Sequence, residues 1–398
     1  MNINQIVENQ RERLGALRRE LHQFPELSFK EFATSKRVAD ELTSLGYEVQ
    51  TAVGQTGVVG LISGNVEGPV ILLRFDMDGL PIQEENTHAF ISSNPGVMHA
   101  CGHDGHMAIG LVIARLLAEH IEEWPATFKL VFQPAEEIGG GAKGMITGRV
   151  LENPKPDYAL ATHVWVEAPV GWFGITPGPM MAASATFKIT ILGKGGHGGR
   201  PQSTIDPIIA AGQIISAVQS IVSRNLDPNR SAVVSITQVH GGSAYNIIPN
   251  EVMLGGTIRV FDEATFEMVS KRLRQISTSI AVGLGCVAET EVWMDTPAVV
   301  NDPKVTALAQ KAVKNLLPEC QVATEYRTMM AEDMAEFLSR VPGAMILTGA
   351  GKVGDGSDFP HHHPKFDLDE EALVLATKLI LGTCQEIIGQ AFSKGDAA

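Results

Sequence analysis

Apolar positions in the first third of the chain change their period more than once. Residues 2–22 and 28–45 space apolar groups three and four apart, the period of amphipathic helices. VILLRF (70–75) is instead a continuous apolar run, suited to a strand buried on both faces. Helical spacing returns at 104–120, and TFKLVFQ (127–133) and DYALATH (157–163) read as further strands. Strands alternating with helices predict an α/β fold with a largely parallel or mixed sheet, covered on both faces.

Near Pro177-Gly178-Pro179 the pattern changes. The order becomes strand ATFKITILG, helix DPIIAAGQIISAVQSIVS, strands SAVVSITQV and EVMLGGTIRVF, helix EATFEMVSKRLRQISTSIAV, and strand CVAETEVW. This β-α-β-β-α-β order is ferredoxin-like. It predicts an inserted domain over 180–295, flanked by one domain made of 1–179 and 296–398. The alternative is one continuous sheet. After Asp302-Pro303 come a helix, AMILT at 344–348, and a helix from about 367.

A chain of 398 residues is long enough for two domains, and 44% hydrophobic residues supply their cores. The net charge of −14 argues against nucleic acid or an anionic membrane as partner. No apolar run approaches the roughly 18 residues that cross a bilayer, and the start reads as an amphipathic helix rather than a signal peptide. Cys101, Cys286, Cys320 and Cys384 are few and far apart, as for reduced thiols in a cytoplasm.

Open α/β sheets bind ligands beyond the carboxyl ends of their strands, and polar clusters gather there. VILLRF runs into Asp76-Met77-Asp78-Gly79, KLVFQ into Pro134-Ala135-Glu136-Glu137, and YALAT into His163. Two more clusters occupy loops: His99-Ala100-Cys101-Gly102-His103-Asp104-Gly105-His106, and Asp358-Phe359-Pro360-His361-His362-His363-Pro364. Thiolate, imidazole and carboxylate bind zinc and its neighbours. Each cluster alone has a plain reading: a buried thiol beside a capping histidine, a helix first turn, a solvated loop. Their convergence predicts a metal centre. Of the adjacent glutamates, one can coordinate while the other faces a water whose proton it takes. Asp78 is either an orienter of a ligating histidine or a turn residue before Gly79. In the insert, His197 projects from the glycine-rich loop 193–201. Asn246 and Arg259 are polar groups in apolar strand surroundings, Arg259 being either a surface charge or a fork for a carboxylate.

These motifs resemble the aminoacylase/carboxypeptidase family of metallopeptidases, in the branch of hippurate and indole-acetyl-amino-acid hydrolases. The resemblance covers nearly the whole chain: Arg-Arg-Glu-Leu-His-Gln-Phe-Pro-Glu-Leu-Ser-Phe, Arg-Phe-Asp-Met-Asp-Gly-Leu-Pro-Ile-Gln-Glu, His-Ala-Cys-Gly-His-Asp-Gly-His, Phe-Gln-Pro-Ala-Glu-Glu, Gly-Gly-His-Gly-Gly-Arg-Pro and His-His-Pro-Lys-Phe-Asp. It implies a di-metal exopeptidase-like catalytic domain with a ferredoxin-like lid and dimerisation domain. The implied ligands of two divalent ions are Cys101, His103, Glu137, His163 and His362, with Cys101 bridging. His362 is preferred because the branch's motif places the ligand two residues before the proline, here Pro364. Asp76 stands where the wider family has a histidine ligand and is not imported as one. Glu136 is the implied base and then acid, His197 the oxyanion donor, Asn246 a substrate hydrogen-bonder and Arg259 the carboxylate anchor. The thiolate favours zinc, whereas imidazole and carboxylate also accept manganese, cobalt or nickel. The expected reaction is hydrolysis of N-acyl-amino acids by a cytoplasmic homodimer or larger homo-oligomer. N-acetyl-diaminopimelate deacetylation or dipeptide cleavage would use the same motifs, and a non-catalytic metal-binding relative would not need Glu136.

Overall fold

The computed structural model describes residues 2–352 and 359–395. The chain forms two compact units, one of Met1–Gly178, Val300–Tyr326 and Asp333–Ala398, the other of Pro179–Val299 and Arg327–Glu332.

The first unit is built on an eight-stranded mixed sheet. Its four central strands are Thr127–Gln133, Val70–Asp76, Tyr158–Pro169 and Gly343–Gly351, in that order and all parallel to their neighbours. Glu48–Val53 and Gly57–Ser63 extend one side antiparallel; Trp172–Gly174 and Gln321–Ala323 extend the other. Ile71, Leu72, Leu73 and Phe75 are all buried, as a strand covered on both faces requires. The helix His103–Glu119 lies close to the sheet because position 110 is glycine: a Cβ there would meet the Phe75 ring at 2.7 Å and the Phe132 ring at 3.0 Å.

Three expectations change in detail. The helix expected over 2–22 is two, Ile3–Glu8 and Arg11–His22, parted at Asn9-Gln10, where Asn9 closes the first helix. The strand ending in His163 continues to Pro169, pairing with Gly351. The helix expected from about 367 is Glu371–Gly395; Asp369 accepts from the Glu371 amide at 2.9 Å, while Asp367 is held by Arg18. This helix also corrects the reading that no segment is long and apolar enough to span a bilayer. Glu371–Ser393 is, by length and composition, but 78% of the window is buried inside the fold. It is a core helix.

The second unit has the ferredoxin-like order. Strands Ala232–Gly241, Glu251–Val260, Ala183–Leu192 and Val287–Thr296 lie side by side, each antiparallel to its neighbours. Along Ala183–Leu192 burial alternates strictly, with Phe187, Ile189 and Ile191 inward. These pack with Ile214 of Pro207–Val218 and Leu273 of Glu263–Gly283. Asp206 and Asp262 cap the two helices, bonding the amides of Ile208 at 2.9 Å and Thr265 at 2.8 Å.

One buried cation secures the strand that leads to the glutamate pair. Lys129 Nζ donates to the carbonyls of Val150, Glu152 and Pro154 at 2.9, 2.7 and 2.7 Å. Lys129→Met leaves these carbonyls without their donor, so stability should fall by ~1–3 kcal/mol. The check is a lower urea midpoint with an unchanged slope.

Candidate metal centre

Val70–Asp76 and Thr127–Gln133 pair in parallel with Asp76 opposite Gln133, so the segments that follow them emerge side by side. One carries Asp78, the other Glu136 and Glu137. Tyr158–Pro169 supplies His163 from within the sheet. Cys101 and His103 flank Gly102, whose φ of 87° L-residues rarely adopt and where a Cβ would meet Val164 Cγ2 at 2.2 Å. Only glycine fits between these two donors. The His362 amide bonds the Ala100 carbonyl at 2.8 Å, tying the histidine loop to the cysteine loop. Asp358 lies outside the described residues.

The structure therefore brings together Cys101, His103, Glu136, Glu137, His163 and His362. Donor atoms of Cys101, His103 and His163 lie within 4.8 Å of one another, as do those of Cys101, Glu137 and His362, and those of His103, Glu136 and Glu137. Cys101 Sγ is 3.6 Å from His163 Nε2, and His362 Nε2 is 3.3 Å from Glu137 Oε2.

Hydrogen bonding fixes what these groups can do. His103 Nδ1 donates to the Asp78 carbonyl at 2.9 Å and lies 3.3 Å from Asp78 Oδ1, so Nε2 is the nitrogen turned toward the cluster. That Nε2 and Glu137 Oε1 face each other at 3.8 Å. Both are buried, and neither has a hydrogen-bond partner among the described residues. Orphaned buried polar atoms are rare; a cation shared between these two resolves both. Burial opposes charge on His103, yet Asp76, Asp78 and Glu137 outweigh it and raise its pKa to about 10. The pocket thus favours positive charge at this point. Burial, aided by the neighbouring histidines, holds His163 well below the usual imidazole range, in the neutral form a metal requires. Thiolate, imidazole and carboxylate around orphaned atoms fit divalent metal.

Asp78 is bonded on several sides. Besides facing His103, its carboxylate accepts the amides of Glu136 and Glu137, at 3.1 Å each, and the Ser28 hydroxyl at 2.7 Å. Asp76 is committed elsewhere, to Arg74 and His106 at 2.6 Å each. His106 in turn accepts the Val164 amide at 2.9 Å, so both its nitrogens are used and it braces the strand beside His163.

Several contributors were not singled out from sequence. His361 Nδ1 lies 3.8 Å from Cys101 Sγ, placing a second histidine of the triplet beside the thiol. Burial lowers the His361 pKa to about 3. The Arg-Arg-Glu-Leu-His motif places Arg18 and His22 on Asp104, at 3.0 and 2.8 Å, directly after His103. Burial works against a charged His22, but bonds to Asp104 and to Glu84 at 3.1 Å raise its pKa to about 9. The helical spacing of Arg18 and His22 hinted at a shared face, though nothing in it named Asp104 as the partner.

His197, Asn246 and Arg259 all belong to the second unit. His197 and Asn246 are neighbours there: the Gly198 amide bonds the Asn246 carbonyl at 2.8 Å, and His197 pairs with Ile247. Both side chains are exposed. Arg259 is partly buried in its strand, with no hydrogen-bond or ion-pair partner among the described residues. Burial lowers its pKa, against the pull of Asp295.

Residues 72–386 match the model of the peptidase family M20/M25/M40. The chain is 40% identical to the N-acetylcysteine deacetylase of Bacillus subtilis over 367 residues, 92% of this chain and 94% of that protein. It is 38% identical to IAA-amino acid hydrolase ILR1-like 4 of Arabidopsis thaliana, covering 91% of this chain and 83% of that one. Among solved structures, it is similar to the YXEP protein of Bacillus subtilis, described as a dinuclear metal-binding peptidase of the M20 family. The TM-score is 0.84 at 35% identity, over 96% of this chain and 99% of that one. With the match spanning most of its length, the chain belongs to the peptidase family M20/M25/M40 and is a metal-dependent hydrolase.

Proposed function

We propose that the protein hydrolyses N-acyl-amino acids to a carboxylic acid and a free amino acid, using two divalent ions. The observation that carries this reading is the pair Glu136–Glu137. One member presents an orphaned buried oxygen to His103, and the other stands beside the same cluster. A site that only stored metal would need the first and not the second.

Cys101, His103, Glu137, His163 and His362 would hold the ions. When bound, the metals polarise the amide carbonyl and lower the pKa of water. Glu136 takes the water's proton and returns it to the departing amine nitrogen. His197 donates a hydrogen bond to the tetrahedral oxyanion, and Asn246 bonds the substrate. Arg259 pairs with the substrate's α-carboxylate, for which a partly buried guanidinium with no hydrogen-bond or ion-pair partner among the described residues is suited. The named activities of the two relatives, on N-acetylcysteine and on IAA-amino acids, support an amino acid on the leaving side and leave the acyl group open. Zinc suits the thiolate best, with manganese, cobalt and nickel as alternatives.

A homodimer through the second unit agrees with the exposed apolar groups Val239, Tyr245 and Ile247 at and beyond the edge strand Ala232–Gly241, and Ile208 and Ile209 on a helix. Four cysteines with no disulfide among them suit a cytoplasmic enzyme.

A turnover screen of benzoyl-, acetyl- and indole-acetyl-amino acids tests the reading. A chelator should abolish hydrolysis, and added divalent metal should restore it. Full turnover by protein shown metal-free by elemental analysis would overturn the scheme.

The two glutamates should separate. Glu136→Gln is expected to keep its metals and lose ~10²–10⁴-fold in kcat. Glu137→Gln should lower metal content instead, because an amide is a poorer ligand. The opposite pattern in metal analysis would reverse the roles.

Arg259→Ala should raise KM for substrates with a free α-carboxylate and spare the matching amides. A loss of about 2–4 kcal/mol in kcat/KM is expected for removing a charge-assisted fork. Equal losses on both substrates would count against a carboxylate contact.

A further inference from the structure

The segment 25–31 contains the Pro-Glu-Leu-Ser-Phe motif and leads into the helix Phe32–Ser44. Three of its groups reach the two loops that carry Asp78 and the glutamate pair. The Glu26 carbonyl accepts the Gly79 amide at 2.8 Å, and Ser28 Oγ donates to Asp78 Oδ2 at 2.7 Å. Glu31 Oε1 accepts the Ala135 amide at 2.9 Å.

Glu31 stands at the N-cap of the helix but does not cap it with its side chain. The carboxylate of Glu26 does so instead, accepting the amides of Ala33 and Thr34 at 3.2 and 2.8 Å. Glu31 is thus free to turn inward, where it is fully buried and its second oxygen accepts Thr56 Oγ1 at 2.6 Å. A carboxylate is retained in such a place only when its oxygens are hydrogen-bonded.

What it holds is an unusual backbone. Ala135 is buried with φ of 50°, the left-handed region that a residue with a Cβ rarely occupies. Three consecutive amides, of Ala135, Glu136 and Glu137, meet buried carboxylates: Glu31 takes the first and Asp78 the other two. Successive amides converging on anions form a nest. The loop closes on itself, with the amides of Gly139, Gly140 and Gly141 within 2.7–3.3 Å of the carbonyls of Glu136 and Ala135. Phe29, also left-handed with φ of 60°, borders Gly140, where a Cβ would meet its ring at 3.3 Å. Such backbone persists only when its surroundings over-determine it.

We propose that Glu31 is a positioning residue for Glu136 and Glu137. By holding the Ala135 amide it sets the backbone from which the base and the metal-binding carboxylate project. The inference rests on the roles given to those two residues and is independent of the acyl group.

The test compares Glu31→Ala, Glu31→Gln and Thr56→Val, each metal-free and reconstituted with zinc. Glu31→Ala should lower kcat on the best N-acyl-amino acid by ~10–100-fold and weaken zinc binding in calorimetry. KM should change by less than about threefold, since the substrate contacts named above remain. Glu31→Gln keeps an oxygen for the Ala135 amide and should recover most of the loss. Hydrogen exchange of the metal-free proteins reads the bracket without turnover: residues 134–141 should exchange faster in Glu31→Ala and stay protected in Glu31→Gln. If Glu31→Ala does not fold, Thr56→Val decides, and it should speed exchange of the same loop. Unchanged kcat and exchange in Glu31→Ala, an equal fall in Glu31→Gln, or an unaffected loop in Thr56→Val would each overturn the proposal. Loop exchange and zinc affinity that shift as stated, in a protein that cleaves no amide, would uphold the positioning role and sink the hydrolase reading instead.

Discussion

The Asp78 carboxylate sits where two strands end, and His103, Glu136 and Glu137 are all held to it. It takes the amides of two successive glutamates and a serine hydroxyl, and lies beside the nitrogen of His103 that faces away from the cluster. A buried carboxylate loses solvation and regains it only through such bonds. Burial pushes its pKa up, but the His103, Ser28 and backbone contacts prevail and hold it below the usual carboxylate range. One ionised group therefore couples the histidine's tautomer to the backbone of the glutamate loop. The parallel register of Val70–Asp76 against Thr127–Gln133 is what allows a single carboxylate to reach both.

Around that anchor the charges are layered. Arg74 lies behind the cluster, bonded to Asp76, Gln133 and Asp333 at 2.6–2.9 Å, with all four side chains buried. On another side, Arg18 and His22 offset Asp104. Each buried ion has a partner, as the cost of burying it demands. Between His103 Nε2 and Glu137 Oε1, by contrast, two buried polar atoms face each other without a hydrogen-bond partner among the described residues.

Much of this architecture is legible in the string because hydrophobic period reports burial directly. VILLRF and TFKLVFQ are strands because both faces are covered, and Ala183–Leu192 alternates because one face is. The clustering of Cys101, His103, Glu137, His163 and His362 was open to inference because motifs at strand ends share one edge of a parallel sheet. Direction was not legible. Nothing in Lys-Glu-Phe distinguishes a glutamate that caps its helix from Glu31, which turns away from it. Nor does His-Asp-Gly-His reveal that His106 spends both nitrogens on Asp76 and Val164 while His103 keeps one free. Such choices depend on partners dozens or hundreds of residues away, which periodicity cannot see. The same holds for Glu371–Ser393, whose apolar length says nothing of what covers it.

The first unit is assembled from three separated stretches of chain, and the donor atoms follow that division. Cys101, His103, Glu137 and His163 come from the first stretch, while His362 arrives about two hundred residues later, after the whole second unit. During synthesis at ~5–20 residues per second, the earlier four exist for roughly 10–40 s before the fifth is made. The strand Gly343–Gly351, which pairs with Tyr158–Pro169 and completes the sheet beside His163, is missing for much of that interval. A nascent chain thus carries one thiol and two imidazoles of the cluster before its sheet is complete. Ions captured then would meet a looser and less selective set of donors than the completed fold provides.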